Sequence, residues 1–215
     1  CINASIPFYL FSQAALNLNA GTMSVLNGTT PLFSFIIATL WLKLNTNLVQ
    51  LMGILIGIIG LVIFVGYESL EFSLFALMLC LGASFLYAFS SNFIFKTQSI
   101  DATYLAAMTL LFATFLVFPF TFLETGLHLN HSNEALLSVF LLGFACTGLA
   151  YMGYVVLIKR AGPVRASTVV LIVPISGMLW ANLFLNEVIT LTMLLGCLLI
   201  ITGVGLINFF QKESN

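Results

Sequence analysis

The sequence predicts an all-α integral membrane protein, a polytopic helix bundle of inverted five-helix repeats with eight spans present. Three observations predict it. The 215 residues are 61% hydrophobic and only 6% charged, whereas a soluble domain carries about 25% charged residues. So little charge cannot keep a surface in water, and the surface must face lipid. Apolar stretches near the length needed to cross about 30 Å of hydrocarbon recur along the chain. Finally, Pro31–Gly60 returns at an offset of 143 residues as Pro174–Gly203, with ten of thirty positions identical. Composition alone would give about three, so the repeat reads as a duplication.

The segments follow in order. Residues 4–18 begin abruptly and are short. Residues 22–43 carry Pro31 and end at Lys43, and 48–66 follow the polar turn Asn45-Thr46-Asn47 with glycines at 53, 57 and 60. Residues 72–95 follow Tyr67-Glu68-Ser69 and place Ser84, Tyr87, Ser91 and Asn92 along one helical stripe. Residues 102–123 lead into a polar loop with Glu124, His128 and His131. Residues 135–158 carry a second stripe of Thr147, Tyr151 and Tyr154. Residues 166–186 hold Pro174 and end at Asn186-Glu187, and 190–210 repeat the glycine pattern at Gly196 and Gly203. Such glycine faces serve close helix packing, not phosphate binding, because no GxGxxG or Walker pattern is present.

Charge orients the segments. Lys43, Lys96, Lys159, Arg160, Arg165 and Lys212 all fall on one side, while Glu68, Glu71, Glu124, Glu134 and Glu187 fall on the other. The positive-inside rule makes the basic side cytoplasmic and puts the C-terminus inside. The duplicated segments differ in the matching sense. Lys43 closes the first Pro-bearing segment on the inside, while Asn186 and Glu187 stand in the aligned region on the outside. Those two segments are five spans apart, so the second copy is inverted, an architecture that recurs in secondary transporters. Residues 72–210 are expected to form a complete repeat of five helices. Residues 1–66 are expected to be the last three helices of the preceding one, with two helices expected before Cys1.

Paired interruptions at equivalent positions are the best sequence pointer to a transporter's site. Pro31 and Pro174 are such a pair, although proline also merely kinks helices. Polar side chains gather around them, and polar groups at membrane depth face the bundle interior or a cavity, or else bond helix to helix. The candidate substrate-binding residues are Asn27, Thr30, Pro31, Tyr87, Ser91, Tyr151, Ser167, Pro174 and Trp180.

Other chemistries are not supported. The four cysteines, Cys1, Cys80, Cys146 and Cys197, form no CxxC or Cys/His spacing, so neither metal nor cofactor is expected. A net charge of −1 gives no basic stripe for a nucleic acid. No Asp, Glu, Lys or Arg lies deep in a complete span, and no HExxH, GxGD or Ser/His/Asp set points to hydrolysis, so no enzyme is expected. Scarce embedded charge favours a neutral or zwitterionic solute. The sequons Asn3-Ala-Ser5 and Asn27-Gly-Thr29 read as coincidence.

Thr30-Pro31-Leu32 … Leu42-Lys43-Leu44 … Gly53 … Gly60, and again Val173-Pro174-Ile175 … Leu185-Asn186-Glu187 … Gly196 … Gly203, carry a resemblance. The whole chain resembles the drug/metabolite transporter superfamily, in particular its ten-helix EamA-type members. Leu157–Gly162 with Ala166-Ser167 is similar to the stretch joining helices eight and nine there. The first copy has Lys43-Leu44 where the family often has Gly-Glu, so a structural role for that Glu falls to Glu187 alone. The resemblance implies a permease or exporter moving metabolites such as amino acids by alternating access. The alternative is a non-transporting membrane scaffold or degenerate transporter subunit. A bacterial cytoplasmic membrane and a possible homodimer complete the expectation.

Overall fold

The computed structural model describes residues 3–43, 46–68, 73–97, 99–119 and 132–209. Among them the order is α1 (Ser5–Ala14), α2 (Ala20–Asn27), α3 (Thr30–Trp41), α4 (Leu48–Glu68), α5 (Leu74–Lys96) and α6 (Ala102–Val117). After α7 (Asn133–Leu141) comes a π-helical stretch, Leu142–Leu149, that runs straight into α8 (Ala150–Ala161). Then follow α9 (Pro163–Ser167), a 3-10 turn (Thr168–Leu171), α10 (Ile172–Leu185) and α11 (Leu191–Phe209). The fold is all-helical among the described residues, as expected in lipid, where helices satisfy their own backbone.

Among the described residues, five helices are long and apolar enough to cross a membrane: Ala20–Trp41, Leu74–Lys96, Val139–Ala161, Pro163–Leu185 and Leu191–Phe209. Leu48–Phe64 and Ala102–Val117 are shorter apolar helices. The ten residues of α1 would reach about 15 Å at 1.5 Å per residue, about half the hydrocarbon thickness. The loop bearing Glu124, His128 and His131 lies outside the described residues.

Two antiparallel crossings organise the bundle. In the first, α4 lies along α11, and backbone approaches backbone where glycines face each other. A Cβ at Gly53 would stand 2.6 Å from the Gly203 carbonyl oxygen, and one at Gly60 would stand 2.9 Å from that of Gly196. The contact is reciprocal under the offset of 143, because Gly53 corresponds to Gly196 and Gly60 to Gly203. Such exchange of partners is the mark of a two-fold contact. In the second crossing, α2 meets α10 where Ser24 faces Gly177 and Gly28 faces Pro174, while α3 meets α9. Val25, Leu26, Leu32, Phe35, Phe64, Met178, Cys197 and Val204 fill the core between the crossings.

Both Pro-bearing spans are broken near mid-length. Gly28 and Thr29 separate α2 from α3, and Pro31 stands in the first turn of α3, where proline's missing N–H is harmless. The carbonyl four residues earlier, Asn27 O, accepts instead from the Thr30 hydroxyl at 2.8 Å. In the second copy the 3-10 turn does the same work: the carbonyls of Val169 and Val170 accept from backbone N–H at its end. Both prolines thus leave backbone that the chain satisfies locally.

The two spans also end alike. Lys43 (φ 54°) and Asn186 (φ 55°), equivalent under the offset, are the two non-glycine residues of left-handed backbone among the described residues, the conformation that ends many helices. At the N-terminus of α4, Asn47 and Gln50 cap one another at 2.9 and 3.0 Å, and Gln50 Nε2 also donates to Ile207 O on α11 at 3.2 Å.

Candidate functional site

The nine residues singled out by sequence fall into three places. Asn27, Thr30, Pro31, Ser167 and Pro174 lie at the second crossing. There Thr30 is buried and bonds back to Asn27, Ser167 Oγ donates to Val164 O at 2.8 Å within its own helix, and both prolines are buried. Trp180 lies elsewhere. It is 58% exposed on α10 and rests 5.4 Å from Phe184. The third place holds Tyr87, Ser91 and Tyr151.

Helix spacing builds this third group. On α5, Ser84 and Asn92 are eight residues apart and point toward α2 and α3. Ser84 Oγ donates to Leu26 O at 3.2 Å, and Asn92 Nδ2 donates to Ser34 O at 3.2 Å and to Ala88 O at 2.9 Å. These two residues of the polar stripe are therefore helix-to-helix ties. Asn92→Ala removes the tie to α3, and a thermal unfolding series in detergent is expected to show a loss of about 1 kcal/mol, the usual worth of such bonds between membrane helices.

Tyr87 and Ser91 lie on the flank of α5 that meets α8. Tyr87 stacks on Phe11 of α1 at 6.1 Å, and Ser91 Oγ donates to Ala88 O at 2.9 Å. From α8, Tyr151 and Tyr154 come three residues apart onto one face, so the hydroxyls of Tyr87, Tyr151 and Tyr154 sit near one another with Ser91 beside Tyr154.

What the sequence reading missed is the other wall. Asn3, just before α1 and only 7% exposed, and Thr109 on α6 stand in front of the Tyr151 hydroxyl. Neither meets it in hydrogen-bond geometry. Among the described residues the Tyr151 hydroxyl and Asn3 Oδ1 are both buried without a hydrogen-bond partner, and Thr109 Oγ1 donates to Leu105 O at 2.7 Å instead. A burial without bonds costs on the order of 1–3 kcal/mol per group, so unsatisfied polar atoms in a native fold need an explanation. Asn3 was visible only as part of a sequon, and Thr109 as an isolated hydroxyl in an apolar run. The group is uncharged and offers hydroxyl and amide donors and acceptors. No cluster of three metal-ligating residues occurs among the described residues.

The ends of the bundle differ in charge. At one, Lys96 Nζ lies 4.3 Å above the Trp41 ring, and Lys159 Nζ donates to Thr97 O at 2.8 Å and to Ile100 O. A cleft of about 430 Å³ between Asp101, Val156, Lys159 and Arg160 opens there. At the other, Glu187 accepts from the backbone N–H of Ala20 (Oε1, 2.9 Å) and Gly21 (Oε2, 2.9 Å), 167 and 166 residues away along the chain.

Comparisons with known proteins agree with this architecture. Residues 1–66 and 74–209 match the EamA-like transporter family. The chain is 27% identical over 197 residues to the uncharacterized transporter YoaV of Bacillus subtilis, covering 89% of this chain and 68% of that protein. An uncharacterized transporter of Archaeoglobus fulgidus is 22% identical over 205 residues, covering 94% and 73%. A further one, of Buchnera aphidicola, is 28% identical over 223 residues, covering 97% and 72%. One solved crystal structure superposes with a TM-score of 0.71 at 15% identity, covering 96% of this chain and 73% of that one, and so shares its fold. The matched residues span nearly the whole sequence, and this helical membrane protein belongs to the EamA-like transporter family.

Proposed function

We propose that the chain is a small-molecule permease working by alternating access, and that its solute binds at the Tyr87, Tyr151 and Tyr154 hydroxyls. The single observation that carries the site is the pair of buried, unpartnered atoms, Tyr151 OH and Asn3 Oδ1. A solute bearing donors and acceptors would complete both. Uncharged surroundings favour a neutral or zwitterionic solute such as an amino acid over a highly charged one.

In this reading residues 1–66 are the closing three helices of one repeat and 72–210 a complete second, with the reciprocal glycine contacts of α4 and α11 as support. The gathering of Lys96 and Lys159 at one end supports a cytoplasmic face there and a C-terminus inside, in a bacterial inner membrane. Asn27, Thr30, Pro31, Ser167 and Pro174 lie at the crossing the motion would use, and a solute contact is assigned to Tyr87, Ser91 and Tyr151. Trp180, exposed on α10, is left without one.

The test is uptake into proteoliposomes with a panel of radiolabelled neutral and zwitterionic metabolites, beside thermal-shift measurements with the same panel. Saturable uptake of one class, with stabilisation by that class, is the expected result. Flat uptake and no shift across the panel would retire the permease in favour of a non-transporting membrane subunit.

A further inference from the structure

Glu187 is the clue to how the two ends of the crossing differ. Its carboxylate takes the first two N–H groups of α2, donors that a helix start otherwise leaves open, and it does so from the far side of the crossing, beyond α10. The arrangement is bidentate and charge-assisted, the strong form of a hydrogen bond, and it lies at the positive end of the helix dipole. Asn19 completes the cap by accepting from Thr22 N at 2.7 Å. Gly21 makes room: a Cβ there would stand 3.3 Å from Glu187 Oε2 and 2.8 Å from Met193 Cε. Asn182 Nδ2 donates to Glu187 O at 2.9 Å, and Asn186 turns left-handed to present the side chain.

By the offset of 143, Glu187, Ala20, Gly21 and Asn19 each have a counterpart, and each of these four counterparts lacks the needed group. Glu187 corresponds to Leu44, which has no acceptor. Ala20 corresponds to Pro163, which has no N–H. Gly21 corresponds to Val164, a fully buried side chain where the carboxylate would have to enter. Asn19 corresponds to Gly162, which has no capping side chain. The left-handed turn itself survives there, at Lys43. The left-handed residue was thus retained at both ends, while the sequence supplies acceptor, donor, space and cap at one only.

We infer that Glu187 is a latch that holds the crossing shut at its own end, and that the missing counterpart biases the resting protein toward closure there and opening at the Lys43 end. The inference rests on the alternating-access reading above. Glu187 acts as a positioning residue, since it touches backbone and not the Tyr group. A contact present in one state only shifts the equilibrium by its full differential free energy, so its loss must move populations and not merely weaken the fold.

The experiment places spin labels at Leu16→Cys and Val188→Cys, both exposed and flanking the latch. The natural cysteines are replaced, and distances are measured in lipid nanodiscs. The parent is expected to show a dominant short distance. Glu187→Ala should reduce that population at least two-fold, with Glu187→Gln, which keeps one acceptor, between the two. Installing the counterpart, Leu44→Glu with Pro163→Ala and Val164→Gly, should shift the parent in the same direction as Glu187→Ala, a result that a purely structural cap would not give. Unchanged distances in Glu187→Gln and in the installed variant, with thermal midpoints matching the parent, would overturn the latch. Proteoliposome uptake separates the two readings. Populations that shift without any solute moving would leave the latch and retire transport; intact transport with fixed distances would do the reverse.

Discussion

Gly203→Leu is expected to destabilise the protein by about 3 kcal/mol or more, the upper range for forced overpacking. A Cβ at this position already meets backbone, with Gly57 N only 2.7 Å away, and backbone cannot rotate aside as a flexible side chain would. Relief requires α4 and α11 to separate along their length, which loosens Phe64, Ile200 and Val204 in the core as well. The internal control is two residues on. A Cβ added at Gly205 would meet nothing within 4 Å, so Gly205→Ala should gain about 0.5–1 kcal/mol from helix propensity alone. Thermal unfolding of both variants in one detergent checks the pair, and a loss at Gly205 equal to that at Gly203 would mean that general helix disruption, not the close contact, is responsible.

Tyr151→Phe is expected to lower the kcat/KM of transport at least about 10-fold, equivalent to about 1.4 kcal/mol of lost transition-state contact, while leaving the thermal midpoint unchanged or slightly raised. The two readouts part because the hydroxyl makes no geometric hydrogen bond among the described residues. Removing an unsatisfied buried group relieves a penalty, whereas removing one that a solute completes forfeits the contact. A fallen midpoint with unaltered uptake would make the hydroxyl a structural group and move the solute elsewhere. Proteoliposome kinetics and unfolding on the same preparation give both numbers.

Much of the fold was legible because membrane helices announce themselves by apolar length and by the polarity of their turns. Segments 48–66, 72–95 and 190–210 correspond closely to α4, α5 and α11. The glycines at 53, 60, 196 and 203 were readable as packing faces, and they are. The breaks were less visible. Hydropathy treats 22–43 as one span, yet it is interrupted at Gly28-Thr29, because a bond from the Thr30 hydroxyl replaces one of the ladder. The π-helical stretch Leu142–Leu149 left no sequence mark either, since its residue types suit an α-helix equally well. In the polar stripe of α5, spacing showed that Ser84, Tyr87, Ser91 and Asn92 share a side. It could not divide that side between α3, which Asn92 meets, and α8, which faces Tyr87. Asn3 and Thr109 were missed for the same reason: their importance comes from what stands opposite in space, and no periodicity encodes that.

The twin glycine contacts of α4 and α11 have a mechanical consequence. Two points of backbone touching backbone, one turn-pair apart along each helix, forbid the helices from sliding past each other or rolling, because either movement drives a carbonyl into a neighbouring Cα. The pair behaves as a keyed joint. Whatever movement the protein makes must then be absorbed by other parts of the chain, and the two interrupted spans are the compliant ones: Gly28-Thr29 between α2 and α3, and the 3-10 turn between α9 and α10. In the alternating-access reading, rigid staves joined through interrupted spans would let one end tilt against the other while the lipid-facing flank stays still.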